Sequence, residues 1–242
     1  MRRLGRRLGI FYKQPVPGGV KTRLSPPLTP TEAAWLYHAM LTDTIAMARR
    51  PLADQVVLFE AAARPGWRPA APADWPHRAQ RGPDLGARMV AALQELMDGE
   101  APVGACLIGT DAPLLGAALL ETAWEALDSG VDLVTSPTPD GGYALLGMAR
   151  RPTDDFLDGI AWSTAEVLER TEQRAREAGW QVGRVAESRD VDTAEDLSEL
   201  FTILDSGRLT RQQSAASATR ACLRKFQAAG RWPPPGGGHA PG

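Results

Sequence analysis

The chain has 242 residues, of which 43% are hydrophobic, and this is enough for one sizeable core. Its 27 Lys and Arg residues nearly balance its 29 Asp and Glu residues, and the formal net charge of -2 gives no overall attraction for nucleic acid or anionic membranes. Cys106 and Cys222 form neither a disulfide framework nor a metal-ligand pattern. The apolar part of the basic N-terminal segment, residues 8–12, is too short for a membrane span or a signal peptide. We therefore expect a cytoplasmic protein that binds neither nucleic acid nor a membrane.

Short apolar runs alternate with longer segments of helical periodicity along the chain. The runs with the pattern of buried strands are residues 8–12, 55–59, 103–108, 131–135, 143–148 and 181–185. The segments with a helical pattern are residues 30–49, 85–97, 115–127, 164–178 and 194–204. This alternation predicts an α/β fold with a doubly wound, mostly parallel sheet flanked by helices.

The helix starts and the composition predict how the chain is divided. Thr29-Pro30, the sequence from Ser163 to Glu166 and Thr193 all have the residue types of helix N-caps, and the second reads as a capping box. Residues 61–75 show no periodicity and predict a surface loop. We expect one principal domain over residues 1–205, a helical extension over 206–230 with a helix at 212–229, and a disordered Pro- and Gly-rich tail over 231–242.

A loop with three cations follows the first predicted strand. Its prolines and glycines, among them Gly18 and Gly19, allow the backbone to approach a ligand closely, and Lys13, Lys21 and Arg23 bring positive charge to one place. In an open parallel sheet, ligands bind beyond the carboxyl ends of the strands. The loop therefore predicts a phosphate site, and the alternative is a solvated basic turn.

Two acidic segments follow later strands. Asp111 ends a buried strand, and Asp190 and Asp192 follow the last strand on one face of an extended segment. A hard cation such as Mg²⁺ is held by one or two carboxylates together with phosphate oxygens, so Asp111 and Asp192 are the candidate ligands for Mg²⁺ or Mn²⁺. The alternative role for Asp111 is in a turn or as a helix cap. For the Asp192 segment, the alternative is that Asp192 or Thr193 caps the next helix, and the segment alone favours neither this role nor metal binding.

The remaining candidates are a glycine turn and two weaker segments. Asp140, Gly141, Gly142 and Tyr143 predict a turn between antiparallel strands, with room for a sugar or acceptor against the backbone. Residues 80–88, which include the candidate nucleotide contact Arg88, and residues 161–164 are more typical of structural segments when taken alone. The three histidines form no catalytic or zinc spacing.

Six motifs in this order resemble a family within the glycosyltransferase-A superfamily. They are K-x-P-x-P-G-x-V-K-T-R-L, Q-x-G-x-D-L-G-x-R-M, G-T-D-A-P, D-G-G-Y, W-S-T and D-V-D-T-x-E-D-L. The family is known as radical-SAM/selenodomain-associated transferase 1 or arsenosugar biosynthesis glycosyltransferase, and the resemblance covers about residues 9–201. The first loop is also similar to that of guanylyltransferases of deazaflavin cofactor synthesis. The sequence departs from both patterns at Tyr12, at Gln14 and after residue 205.

The resemblance implies a nucleotide-diphospho-sugar transferase fold. It also implies that Lys13, Lys21 and Arg23 contact phosphates and that Asp111 and Asp192 take the metal positions. Two reactions are consistent with these residues: transfer of a sugar from a nucleotide sugar, and transfer of a nucleotide from a nucleoside triphosphate with release of pyrophosphate, each to a small-molecule acceptor. The three cations suit a triphosphate, whereas the family resemblance favours the sugar donor. A third alternative is a nucleotide-binding protein without catalytic activity.

Overall fold

A seven-stranded sheet forms the centre of the protein. The computed structural model describes residues 5–61, 67–99, 103–205 and 216–231. Its strands are β1 (Arg6–Lys13), β2 (Gln55–Ala61), β3 (His77–Ala79), β4 (Gly104–Ile108), β5 (Leu133–Pro137), β6 (Tyr143–Met148) and β7 (Val182–Arg184). They lie in the order β3-β2-β1-β4-β6-β5-β7, and β6 is antiparallel to both of its neighbours while the other pairs are parallel. The predicted mostly parallel sheet is therefore confirmed.

Helices cover both faces of this sheet. They are α1 (Pro30–Ala48), α2 (Leu85–Leu96), α3 (Ala117–Asp128), α4 (Val167–Glu177), α5 (Ala194–Asp205) and α6 (Ser217–Ala228). Buried residues of α1 and α3 pack on one face, and those of α2 and α4 pack on the other. A third apolar cluster joins α1, α5 and α6 to the loop after β1. No helix within the described ranges is long and apolar enough to cross a bilayer.

The main differences from the sequence-based expectations have local causes. Strand β3 was missed because it has only three residues, none of them fully buried, and pairs only with β2 at the edge of the sheet. The capping box predicted from Ser163 to Glu166 is wrong. Ser163 has a φ of 64°, helix α4 begins three residues after the expected Thr164, and Glu166 makes no side-chain cap. The N–H of Leu168 donates instead to the carbonyl of Gly141 at 2.8 Å, so the turn before β6 supports this helix.

The C-terminal helix α6 packs against α1. Its Leu223 and Phe226 lie in the same apolar cluster as Leu36 and Met40 of α1. Asp43 of α1, which is 3% exposed, accepts hydrogen bonds from N–H groups in the first turn of α6. Residues 206–215 of the expected extension, where the expected helix begins, lie outside the described residues. So do the expected tail beyond position 231 and residues 62–66 of the expected loop.

One edge of the sheet collects the loops that carry the candidate residues. Strands β1, β4, β5 and β7 end there, and β6 starts there because it runs in the opposite direction. The loop after β1, the Asp111 loop after β4, the turn between β5 and β6, and the Asp192 segment after β7 consequently meet at this edge.

Candidate functional site

The loop after β1 carries the side chain of Lys21 beneath the surface. Its neighbours Val20 and Leu24 are buried in the apolar cluster that includes α1 and α5. Lys21 has backbone angles of φ 48° and ψ 41°, in the left-handed region that costs free energy for an L-residue. The burial of the two flanking apolar side chains holds the loop in this conformation and directs Lys21 inward.

Lys21 bridges the two carboxylates that the sequence identifies as candidate metal ligands. Its Nζ lies 2.6 Å from Asp111 Oδ1 and 2.8 Å from Asp192 Oδ1. The side chain of Lys21 is 3% exposed, whereas those of Asp111 and Asp192 are 47% and 46% exposed. Burial by itself lowers the pKa of Lys21, but the two carboxylates outweigh burial and hold the pKa above its ordinary value. Lys21 is therefore a charged ammonium that partly neutralises the pair.

Backbone contacts keep the two carboxylate loops together. The N–H of Val191 donates to the carbonyl of Asp111 at 3.0 Å. Thr193 caps α5, because its Oγ1 accepts from the N–H of Asp196 at 3.2 Å while Asp196 Oδ2 accepts from the N–H of Thr193 at 2.7 Å. Helix α3 begins well beyond Asp111 and has no side-chain cap. Of the two residues considered as the cap of α5, Thr193 therefore caps the helix and Asp192 does not, and Asp111 does not cap α3. Both carboxylates face the sheet edge, where they pair with Lys21.

Tyr37 of α1 joins the ends of β1 and β4. Its hydroxyl accepts hydrogen bonds from the backbone N–H of Lys13 and from the hydroxyl of Thr110, each at 2.8 Å. Burial, followed by the nearby Asp111 carboxylate, raises the pKa of Tyr37 to about 12, so the phenol remains neutral. Tyr37 was not predicted as a site residue, because its position fits the buried face of a helix and nothing in the sequence pattern marks its hydroxyl.

Asp190 brings a third carboxyl group to the same region. It lines a cleft together with Asp111 and Asp192, as its spacing from Asp192 suggested. Burial first, and the charge of Asp111 second, raise the pKa of Asp190 to about 7. At neutral pH this carboxyl group is therefore divided between its protonated and ionised forms.

The turn between β5 and β6 is held by its own polar groups. Asp140 Oδ1 accepts from the hydroxyl of Thr138 at 2.5 Å and from the N–H of Gly142 at 3.1 Å. Gly141 has a φ of 84°, and a Cβ at this position would lie 2.2 Å from the carbonyl oxygen of Ala165. The antiparallel turn expected from Asp-Gly is confirmed, and glycine is required at position 141 for both its backbone angle and its close packing.

Two adjoining cavities meet at the Lys21 bridge. The larger, of about 520 Å³, has an apolar and aromatic wall that includes Phe11, Met89, Tyr143 and Trp162. The smaller, of about 220 Å³, is lined by the three cations of the first loop: Lys13, Lys21 and Arg23. Four residues line both cavities: Lys13, Tyr37, Asp111 and Asp192. A charged compartment thus opens beside a more apolar one, with the two carboxylates at the junction.

Of the other predicted site residues, some line the two joined cavities and some do not. Asp140, Gly142 and Tyr143 line the larger cavity, as does Arg88, which also faces a third cavity of about 310 Å³. The Nε of Arg88 donates to the carbonyl of Gly82 at 3.1 Å. Gly18 and Gly19 are exposed at the tip of the first loop and line neither of the two joined cavities, and Gly141 packs behind the cleft.

Trp162 is a further cleft residue that the sequence alone did not distinguish from a structural one. It lies against α2, where a Cβ on Gly86 would approach its indole ring within 2.8 Å. The glycine in the D-L-G motif therefore makes room for the tryptophan of the W-S-T motif. This packing explains why two segments that look structural when read separately form one wall of the cleft.

The donor chemistry at the junction fits a hard divalent cation. Asp111 and Asp192 direct one oxygen each toward a single point, at which Lys21 Nζ lies. Among the residues described, no group of three or more His, Cys, Asp or Glu side chains is arranged to hold a metal ion. Two carboxylates suit a Mg²⁺ or Mn²⁺ ion whose other ligands are phosphate oxygens and water.

The sheet order and the helices on both faces define the fold of nucleotide-sugar transferases and cytidylyltransferases. The chain belongs to the bacterial family described as "Uncharacterized protein conserved in bacteria (DUF2064)", whose model matches residues 43–164. No curated protein matches the chain.

Solved structures with the same fold extend the comparison. A protein from Desulfovibrio desulfuricans G20, provisionally named a nucleotide-diphospho-sugar transferase, is 29% identical. The match covers 93% of this chain and 96% of that one, with a TM-score of 0.82. A cytidylyltransferase from Leptospira borgpetersenii is 12% identical over 93% of this chain and 96% of its own, with a TM-score of 0.51, and shows the fold alone.

Proposed function

We propose that this protein is a metal-dependent transferase that moves a sugar from a nucleotide sugar to a small-molecule acceptor. The observation that carries the proposal is the junction of the two cavities, where Asp111 and Asp192 lie between a cationic compartment and a larger, partly apolar one. The motif resemblance to glycosyltransferase-A enzymes and the likeness to the Desulfovibrio protein support a nucleotide-sugar donor.

Different residues of the site would bind the diphosphate, the metal ion and the sugar or acceptor. Lys13 and Arg23 would bind the diphosphate in the smaller cavity, since both are exposed cations that line it. Asp111 and Asp192 would hold Mg²⁺ or Mn²⁺, which neutralises the charge that develops on a departing diphosphate. The turn with Asp140, Gly142 and Tyr143 would position the sugar or the acceptor in the larger cavity.

Nucleotidyl transfer is the second candidate because three cations line the smaller cavity. A triphosphate carries more negative charge than the diphosphate of a nucleotide sugar, and Lys21 together with Lys13 and Arg23 would match it. In this reaction the acceptor attacks the α-phosphate and pyrophosphate leaves. The chemical difference between the two candidates is the identity of the leaving group.

Product analysis distinguishes these candidates. Protein and Mg²⁺ are incubated with a panel of nucleotide sugars or nucleoside triphosphates and a panel of hydroxyl and phosphorylated acceptors. Glycosyl transfer releases a nucleoside diphosphate, and nucleotidyl transfer releases pyrophosphate. Release of pyrophosphate without any nucleoside diphosphate from nucleotide sugars would refute the glycosyl proposal. Asp111→Asn is the matched control, which should lower either activity by at least about a hundredfold.

A further inference from the structure

The Lys21 ammonium lies at the point on which the two candidate metal ligands converge. Its distances of 2.6 Å and 2.8 Å to the carboxylate oxygens are those of charge-assisted hydrogen bonds. Because the lysine side chain is 3% exposed, this contact is part of the folded interior rather than a loose surface pair. The site is thus built with an internal cation between its carboxylates.

A divalent ion and this ammonium cannot both lie between the same two oxygens. Mg²⁺ binds carboxylate oxygens at about 2.0–2.1 Å, so an ion held by Asp111 and Asp192 would take the position of Lys21 Nζ. Two cations this close also repel each other strongly in a partly buried site. Binding of the metal through the two oxygens that Lys21 contacts therefore requires Lys21 to move.

The smaller cavity offers a place for the displaced ammonium. Lys21 already lines this cavity of about 220 Å³ together with Lys13 and Arg23. Asp111 and Asp192 also line this cavity and balance part of its positive charge. Once a metal ion takes these carboxylates, the three cations repel one another unless another anion joins them. A phosphate group in this cavity would supply the missing negative charge and receive Lys21 as it leaves the carboxylates.

We propose that Lys21 is a resident counter-ion that competes with the divalent metal for Asp111 and Asp192. Metal and nucleotide phosphate then bind cooperatively, because the metal releases the lysine and the phosphate accepts it. Each ligand binds weakly alone. This inference rests on the metal and phosphate sites of the proposed function, and it adds the reason why those two sites are coupled.

Mn²⁺ binding measured by electron paramagnetic resonance tests the competition without turnover. Lys21→Met removes the internal charge and should raise the affinity for Mn²⁺ alone at least about tenfold. Lys13→Met is the matched control, since it makes the same charge change in the same cavity but leaves the ion pairs of Lys21 with both carboxylates intact, and it should alter the affinity less than about threefold. A nucleotide should raise the Mn²⁺ affinity of the wild type more than that of Lys21→Met. An affinity of Lys21→Met equal to or below that of the wild type would overturn the inference.

Amine acylation of the wild-type protein gives a second test that does not depend on how a variant folds. The chain has only three lysines, and Lys13 and Lys225 are exposed references for Lys21. Saturating Mg²⁺ should increase acylation of Lys21 at least about threefold relative to both references, because displacement exposes its amine, whereas KCl of equal ionic strength should not. Unchanged acylation of Lys21 with bound Mg²⁺ would contradict the displacement.

The two proposals can fail separately. If Lys21→Met binds Mn²⁺ more tightly but no donor is turned over, the counter-ion role holds and the transferase proposal fails. If donors are turned over with metal but Lys21→Met gains no Mn²⁺ affinity, the transferase proposal holds and the counter-ion role fails.

Discussion

Replacement of Gly141 by alanine should destabilise the protein by about 2–5 kcal/mol. The backbone at Gly141 has a φ of 84°, and an L-residue in this region costs about 1–2 kcal/mol. The new Cβ would also lie 2.2 Å from the carbonyl oxygen and 2.5 Å from the Cα of Ala165, closer than any real contact. Because these are backbone atoms, the loop before α4 must shift, which adds about 1–3 kcal/mol of overpacking cost.

Gly159→Ala is the control that separates the two contributions to this cost. Gly159 has a similar φ of 72°, but a Cβ there meets nothing within 4 Å, so only the backbone cost of about 1–2 kcal/mol applies. Urea unfolding at equilibrium gives both free energies of unfolding. We expect Gly141→Ala to lose at least about 1 kcal/mol more than Gly159→Ala. Equal losses in the two variants would refute the close packing of the turn against Ala165.

Two further variants test the charge and the packing around the site. Burial, followed by the charge of Asp111, raises the pKa of Asp190 to about 7, so the wild-type fold loses stability as the pH rises from about 4 to about 7. The free energy of unfolding of Asp190→Asn in urea should therefore exceed that of the wild type at pH 8 by up to about 4 kcal/mol, and this difference should disappear near pH 4. An unchanged free energy of unfolding at pH 8 would contradict the raised pKa. Asp43→Ala should lower the free energy of unfolding in urea by about 2–3 kcal/mol, because the N–H groups of Ala218 and Thr219 lose acceptors at 2.9 Å and 2.7 Å. A cost below about 0.5 kcal/mol would show that this cap does not hold α6 on α1.

The sequence predicted the fold well because its strongest signals are local. Buried strands such as β4 are unbroken apolar runs, and the start of α1 carries a complete capping box, in which Thr29 and Glu32 exchange hydrogen bonds. Strand β3 escaped prediction because an edge strand of three residues needs no apolar pattern. The segment before α4 has the residue types of a capping box, but Ser163 has a left-handed backbone and does not cap the helix. The carbonyl of Gly141 instead accepts a hydrogen bond from an N–H group in the first turn of α4.

The sequence indicates several residues of the candidate site but not their arrangement. The rule that ligands bind at the carboxyl ends of parallel strands selected Asp111 and Asp192, which the structure brings together. From the sequence, Lys21 is expected to contact phosphate and, with Arg23 and Asp111, to act in catalysis, but not to pair with the carboxylates. Its contact with both carboxylates depends on residues 90 and 171 positions away in the chain, and no local pattern encodes such a distance.

Calorimetric titration of nucleotide with and without Mg²⁺ tests the central claim most directly. The wild type should bind a nucleotide sugar or a nucleoside triphosphate at least about tenfold more tightly with Mg²⁺ than with a chelator, because metal and phosphate share the junction at Asp111 and Asp192. Asp111→Asn should remove most of this difference while its melting temperature shows that it remains folded. Nucleotide binding that is equally tight with chelator, or a metal dependence that survives in Asp111→Asn, would contradict the account.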